Sequence, residues 1–260
     1  ICFLVKKKGA KAGRVFYARR PEMETAEEKL SFLSCNALQR LGCDELRPDA
    51  KHNWINIGQN DFDELMPIAS KDAKATLKQS QEKAIFKLFS LGVVTNRDDW
   101  VYDDDEKSLA AKVKHLVKTY NADLKRLDGV RSREDLADLL DGSIKWTRAV
   151  KNDLRKGVEY EFNNNAIEES YYRPFVKRKL YFDRHLNEMV YQVPQLFGPK
   201  AGVNRAFGFA AEERSEFGAI AFDCVPNKDI FMPSAAQVLA LHRYVNGSRI
   251  DNITDWSLLQ

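Results

Sequence analysis

Leu88, Phe89, Leu91, Val93 and Val94 form an apolar run interrupted by Gly92, and it gives way to Thr95-Asn96-Arg97-Asp98-Asp99. A short apolar run that opens into polar residues predicts a buried strand followed by a loop. Trp100, Val101 and Tyr102 then return the chain to the interior, and the acids Asp103 to Glu106 precede a helix. From pattern alone the polar cluster has two readings. It is a loop presented between apolar anchors, or an ordinary turn whose Asp and Asn make local caps.

The remaining pattern predicts both helices and strands. Residues 1–5 and Val15 to Tyr17 read as the two strands of a hairpin across a basic, Gly-containing turn. Glu22 to Leu41 has apolar positions near helical spacing, with Gly42 as its stop. His52 to Ile57 alternates like a short strand, and residues 70–83 read as a mobile connection or an exposed helix. Lys107 to Asn121 carries Leu109, Val113, Leu116, Val117 and Tyr120 on one face and lysines on the other, an amphipathic helix whose acidic start suits the helix dipole. Arg131 to Leu140 and Lys145 to Lys156 read as further helices, the second ending at Gly157. Ile167 to Phe182 reads as extended chain around Pro174, and Asn187 to Gln192 as strand and loop. Glycine-rich connections follow, with Ala219 to Phe222 as a buried strand. Short strands of this kind, mixed with helices, predict an α/β chain of mixed α+β type with a mixed or antiparallel sheet.

Composition narrows the function classes. A chain of 260 residues with 44% hydrophobic residues can bury one substantial core or two modest ones. No apolar run approaches a membrane span and no signal-peptide layout appears. Cys2, Cys35, Cys43 and Cys224 form no CxxC pair, and His52, His115, His185 and His242 fall in no metal-binding spacing. Reduced thiols in a cytoplasmic protein are the expectation. A net charge of +3 says little by itself, so its distribution matters more. Lys6, Lys7, Lys8, Lys11, Arg14, Arg19 and Arg20 form one basic block. Arg173, Lys177, Arg178, Lys179 and Arg184 form another, interleaved with Tyr171, Tyr172, Phe175, Tyr181 and Phe182. Basic residues mixed with aromatics fit a nucleic-acid surface better than basic residues alone.

GVVTNRDDWVY at 92–102, followed by a basic helix, and YRPFVKRKLYFD at 172–183 resemble the C-terminal target recognition region of type ISP restriction–modification enzymes. Those enzymes join a nuclease, a helicase, an adenine methyltransferase and a DNA-specificity domain in one bacterial defence protein. The resemblance runs over nearly the whole chain, with Val176 standing where the family usually has Asp. It implies that residues 1–66 are the end of a methyltransferase domain with its connecting helix, and 67–260 a target recognition domain. With no initiator Met at the start and an end soon after DNITDW, the chain is expected to be a piece, truncated at its C-terminus relative to the family.

The resemblance implies double-stranded DNA as partner, alongside the upstream methyltransferase and helicase parts of the same enzyme. S-adenosylmethionine, ATP and Mg would serve the parent enzyme, with no cofactor expected in this piece. The residues agree: no NPPY-type tetrapeptide, no Gly-rich phosphate loop and no GxxxxGK[ST] is present. Arg, Asn and Asp are the side chains that read guanine, adenine and cytosine edges, and the 95–99 cluster carries all three. Thr95, Asn96, Arg97 and Asp98 are therefore expected near DNA, with Lys145, Arg148, Arg173, Lys177, Arg178 and Tyr181. An Arg shared across different specificities can equally grip the backbone or buttress the fold. Two other functions stay open on the residues alone: a metal-dependent nuclease using Asp98, Asp99 and a Lys, and a non-catalytic module coupling protein domains.

Overall fold

A computed structural model describes residues 3–6, 8–9, 13–49, 52–54, 64–75, 83–130, 134–198, 204–210, 217–232 and 234–260. The chain divides into two units, Ile1–Leu65 and Met66–Gln260.

In the first unit, β1 (Val15–Tyr17) is followed by α1 (Ala26–Cys35) and then by β2 (Asp44–Leu46), which pairs antiparallel with β1. The helix starts at a reciprocal cap: the Thr25 hydroxyl accepts from Glu28 N at 3.3 Å, and the Glu28 carboxylate accepts from Thr25 N at 2.7 Å. This unit departs from the sequence pattern in two places. Residues 3–5 form no strand, so β1 takes its partner from 44–46 instead; residues 1–2 lie outside the described residues. The helix stops at Asn36, six residues before Gly42, because Asn36 is extended and its Nδ2 donates to Phe32 O at 2.8 Å. Of the strand expected at 52–57, residues 52–54 are irregular and 55–57 lie outside the described residues.

The second unit begins with α2 (Lys71–Ala75), β3 (Ser90–Leu91), α3 (Asp98–Val101), β4 (Tyr102–Asp103) and α4 (Glu106–Arg126). It continues with α5 (Arg148–Lys156), the hairpin β5 (Ile167–Arg173) and β6 (Val176–Tyr181), and α6 (Val193–Phe197). Then come β7 (Ala206–Ala210), β8 (Gly218–Phe222), β9 (Val225–Pro226), β10 (Gln237–Ala240), β11 (His242–Val245), β12 (Ser248–Asp251) and α7 (Asp255–Leu258). One four-stranded sheet has the order β3-β10-β7-β8 and another β4-β6-β5-β9, with β11 and β12 as a separate hairpin. Only β5 with β9 is parallel among these named pairs. This is the mixed α+β architecture that the sequence predicts.

Helix α4 is where the sequence pattern is most literal. Leu109, Val113, Leu116 and Tyr120 recur on one face and are each 0% exposed. Asp105 caps the start by accepting from Ser108 N at 2.7 Å. A cap contributes about 1 kcal/mol, whereas each fully buried large side chain contributes about 2 kcal/mol, so packing sets the helix's place. Expected helix 131–140 is a 3₁₀ turn over Glu134–Leu139, with 131–133 outside the described residues. Gly157 ends α5 as expected, in left-handed conformation at φ +74, with its N–H bonded to Leu154 O at 3.0 Å.

At Gly92 the chain comes against the backbone of Asn227 and Lys228. Val93 N donates to Pro226 O at 2.8 Å, and Lys228 N donates to Val93 O at 2.9 Å. A Cβ on Gly92 would lie 2.5 Å from the Asn227 carbonyl carbon and oxygen and 2.6 Å from Lys228 N, all of them backbone atoms. Those atoms cannot swing aside as a side chain would. Gly92→Ala is therefore expected to cost about 3 kcal/mol and to lower the melting temperature by roughly 6–12 °C. Calorimetry of the variant against the parent checks this; an unchanged melting temperature would refute the close approach.

Candidate nucleic-acid interface

The polar cluster after the apolar run folds as a turn, not as a presented loop. Thr95 is 2% exposed; its hydroxyl accepts from Arg97 N at 3.3 Å and donates to Asp98 Oδ1. Asn96 is exposed and takes the left-handed region at φ +52, a conformation that Asn tolerates better than most residues. That single left-handed residue turns the next side chain inward. Arg97 is 1% exposed, while Asp98 is half-buried and Asp99 exposed.

Arg97 takes neither Asp98 nor Asp99 as partner. Its Nη2 donates to the Thr147 hydroxyl, and its Nε and Nη1 have no hydrogen-bond partner. Burial pulls its pKa down to about 10, with Tyr160 and the Glu188 carboxylate opposing the shift, so the side chain stays charged at neutral pH. Glu188 carries no local sequence signal. It accepts from Ala149 N at 3.3 Å, at the start of α5, and lies 3.4 Å from Arg148 Nε. It thus supplies the helix-start contact that Thr147, engaged by Arg97, does not make. Nearby, Asp153 accepts from the Tyr160 hydroxyl at 2.9 Å and pairs with His185 Nδ1 at 2.8 Å. Burial foremost, and then Tyr120 and Asp153, hold the Tyr160 phenol well above its ordinary pKa.

Asp98 is the second node. Its Oδ1 accepts from Thr95, and its Oδ2 accepts from the Tyr172 hydroxyl at 2.9 Å, with Arg173 Nη2 at 3.8 Å. Arg173 also donates to Tyr172 O at 2.7 Å and sits 4.1 Å over the Tyr172 ring. Both carboxylate oxygens are thus engaged, a poor state for a metal-binding pair. Among the described residues no group of three or more His, Cys, Asp or Glu side chains gathers to hold a metal ion.

The basic and aromatic cluster of β5 and β6 separates into inside and outside. Tyr181 is 1% exposed, and its hydroxyl accepts from Asn163 N at 2.8 Å. It holds a turn and has no surface to offer. Lys177 bridges Glu169 at 2.9 Å and Asp223 at 3.0 Å, contacts that raise its pKa, and Arg178 reaches Asp104 at 2.8 Å. These pairs lie at the surface, where an ion pair contributes about 0–1 kcal/mol. In the N-terminal basic block, Arg14, Arg19 and Arg20 pair with Glu45, Glu22 and Glu24; Lys7 and Lys11 lie outside the described residues.

Helix α5 gives the clearest basic face. Val150 and Leu154 are buried, whereas Arg148, Arg155 and Lys156 are exposed, as is Lys145 just ahead of the helix. Arg148 is 80% exposed despite its long contact to Glu188. The residues that the sequence nominates thus divide three ways. Thr95, Arg97 and Tyr181 lie inside; Asn96, Lys145, Arg148 and Lys177 reach solvent; Asp98, Arg173 and Arg178 are half-buried in the Tyr172 network. No described helix is long and apolar enough to cross a membrane.

Comparison with known proteins places this arrangement. The family profile of the Type ISP C-terminal specificity domain matches residues 84–260. No curated protein sequence matches the chain. Among solved structures, the DrdV–DNA complex determined by cryo-electron microscopy is 38% identical, with a TM-score of 0.69, and the match covers 95% of this chain and 24% of that one. A nuclease-deletion mutant of the Type ISP restriction–modification enzyme LlaGI, in complex with a DNA substrate mimic, is 24% identical at a TM-score of 0.68, over 95% and 23% of the two chains. The ATP-dependent Type ISP enzyme LlaBIII bound to DNA shares the fold at 20% identity and a TM-score of 0.67, over 84% and 14%. The chain spans about a quarter or less of the length of these proteins. With a family profile covering most of its residues, the chain belongs to the Type ISP C-terminal specificity domains.

Proposed function

We propose that this chain binds double-stranded DNA at a short specific site and sets the target adenine before the methyltransferase part of a longer restriction–modification enzyme. The observation that carries the reading is the 38% identity over 95% of the chain to an enzyme described in complex with DNA. The same address would direct ATP-dependent restriction by the parent enzyme. Adenine methylation requires the base to leave the stack, and S-adenosylmethionine, ATP and Mg would act in the other parts of that enzyme. The engagement of both Asp98 oxygens by Thr95 and Tyr172 favours this reading over a nuclease built on Asp98 and Asp99.

Within it, the roles differ by burial. Lys145 and Arg148, with the exposed face of α5, grip phosphates and set register, a job that asks only for charge at the surface. Asn96, Asp98, Arg173, Lys177 and Arg178 lie toward DNA around the Tyr172 network. Thr95, Arg97 and Tyr181 support that surface from within. The cytoplasm is the compartment in which such an enzyme meets DNA.

Two measurements test the division. Lys145→Ala and Arg148→Ala are expected to weaken cognate and scrambled duplexes alike, each lowering the slope of log affinity against log salt by about 0.9 per lost phosphate contact. Salt titrations by fluorescence anisotropy read this directly, and a loss confined to the cognate duplex would contradict a phosphate role. Arg97→Ala is expected to destabilise by about 3 kcal/mol, since it removes a long buried side chain. Arg97→Met, which keeps most of the volume and removes a charge with two unpartnered nitrogens, is expected to cost about 1 kcal/mol. Thermal melts give the stabilities. A Met variant that folds well but no longer distinguishes the duplexes would move Arg97 from support to readout.

A further inference from the structure

The turn between β5 and β6 has a chemistry that the ion-pair networks beneath it do not explain. Arg173 and Val176 are the last paired residues, so Pro174 and Phe175 alone make the reversal. Phe175 is 88% exposed and sits at φ +63. A proline followed by a residue at positive φ is the order of a type II turn, whose second corner ordinarily takes Gly or Asn. A bulky side chain there is an outlier that costs free energy. Exposure of the ring to water adds nothing favourable to the isolated fold. Both features would be relieved by glycine, yet the chain places a large aromatic side chain at the tip.

The tip is also held rigidly. Phe175 N donates to the Tyr171 hydroxyl at 2.9 Å, and Tyr171 is 7% exposed, with its ring 5.7 Å from that of Phe222 in the core. Val176 beside it is 45% exposed, which extends the apolar tip. On either side the sequence has no acid between Glu169 and Asp183, while Arg173, Lys177, Arg178 and Lys179 all fall in that interval. In space Lys177 and Arg178 face Glu169, Asp223 and Asp104, and Arg173 lies near Asp98. The fixed apolar point is thus flanked by cations that a phosphate takes over by displacing these acids, an arrangement that suits a polyanion whose apolar surface is stacked inside it. DNA is that polyanion: wedges of Phe, Leu, Met or Pro enter between base pairs while cations hold the flanking phosphates.

We propose that Phe175 is a wedge that enters the base stack of the bound duplex and opens one base step next to the recognition site. The inference rests on the DNA-binding reading above and adds to it the residue that deforms the duplex. Insertion exchanges water around the ring for base faces, an exchange that stacking makes favourable with any base. It therefore sets where the duplex bends without choosing the sequence there.

The test uses the full-length protein without ATP. The bound site is first selected from randomised duplexes, and 2-aminopurine is then scanned along it, since its fluorescence rises when it unstacks. Apart from the target adenine, which leaves the stack on the reading above, the wild type is expected to raise the signal at one further step. Phe175→Gly is expected to abolish that rise and to weaken binding to the selected site about tenfold, while binding to scrambled duplex stays within about twofold. Phe175→Leu should retain part of the rise. Because glycine accepts φ +63 freely, the Gly variant should melt no lower than the wild type, so a lost signal would not reflect misfolding. A rise that persists in Phe175→Gly overturns the wedge and leaves the DNA-binding reading standing. A tip seated against another protein domain gives the same persistence and overturns the wedge in the same way. If the wild-type protein selects no duplex at all, the DNA-binding reading fails first and the wedge fails with it.

Discussion

A guanidinium buried with a single hydrogen-bond partner sets the local order around the specificity domain's interface. Removing a charge from water costs several kcal/mol even after relaxation, and Arg97 offsets this with one hydroxyl acceptor, Thr147. Its position at the N-terminus of α5 adds an unfavourable dipole contact. Tyr160 and the Glu188 carboxylate oppose this cost, and Glu188 also accepts from Ala149 N in the first turn of α5. Three separate segments are thereby held against one charge: the 95–97 turn, the start of α5, and the stretch that carries Glu188. The basic face of α5 keeps a fixed place because its N-terminus is tied down electrostatically. Val150 and Leu154 then fix its rotation by burial.

Asp98 performs the complementary task one residue later. It ties the same turn to Tyr172, and Arg173 and Arg178 both approach the Tyr172 ring, at 4.1 and 5.2 Å from its centroid. Tyr102, buried and held high in pKa by desolvation above all, packs 4.7 Å from that ring and bonds Ser170 at 3.1 Å. Helix α5 and the hairpin β5–β6 are therefore tied to adjacent side chains of one short turn, with Arg97 reaching the start of α5 and Asp98 the hairpin. Side chains that meet a ligand are held to useful tolerance only when their supports are themselves packed.

The sequence pattern reveals elements whose partners are local and conceals those decided by distant ones. Helix α4 is legible because its apolar residues recur along one face, and α5 because Gly157 stops a basic amphipathic run. The extended chain around Pro174 is legible from its composition. Residues 3–5 have a strand's pattern and form none, because pairing is decided elsewhere, in this case by residues 44–46. Thr95, Arg97 and Tyr181 look like surface chemistry, since the letters of a polar residue do not report burial. Arg97 goes inside because its acceptor lies 50 residues away in sequence. Asn252 is invisible for the same reason. Its amide accepts from Leu88 N and donates to Leu88 O and Ala240 O at 2.8 to 2.9 Å, replacing a strand pairing at the sheet edge.

The ion pairs at the surface also change what the basic residues can contribute. Lys177 and Arg178 already face carboxylates of this chain, so a phosphate must displace Glu169, Asp223 or Asp104 to reach them. The exchange trades one favourable pair for another, and the freed carboxylate is left close to the phosphodiester backbone. On the proposed DNA-binding reading, such residues would add little to sequence-independent affinity but penalise a misplaced duplex, because only a close fit repays the broken pair. Lys145 and Arg148 make no comparable sacrifice, since the acid that Arg148 meets, Glu188, is 5% exposed and turned toward the interior. On the proposed DNA-binding reading, affinity from one face and discrimination from the other would follow from where the acids lie.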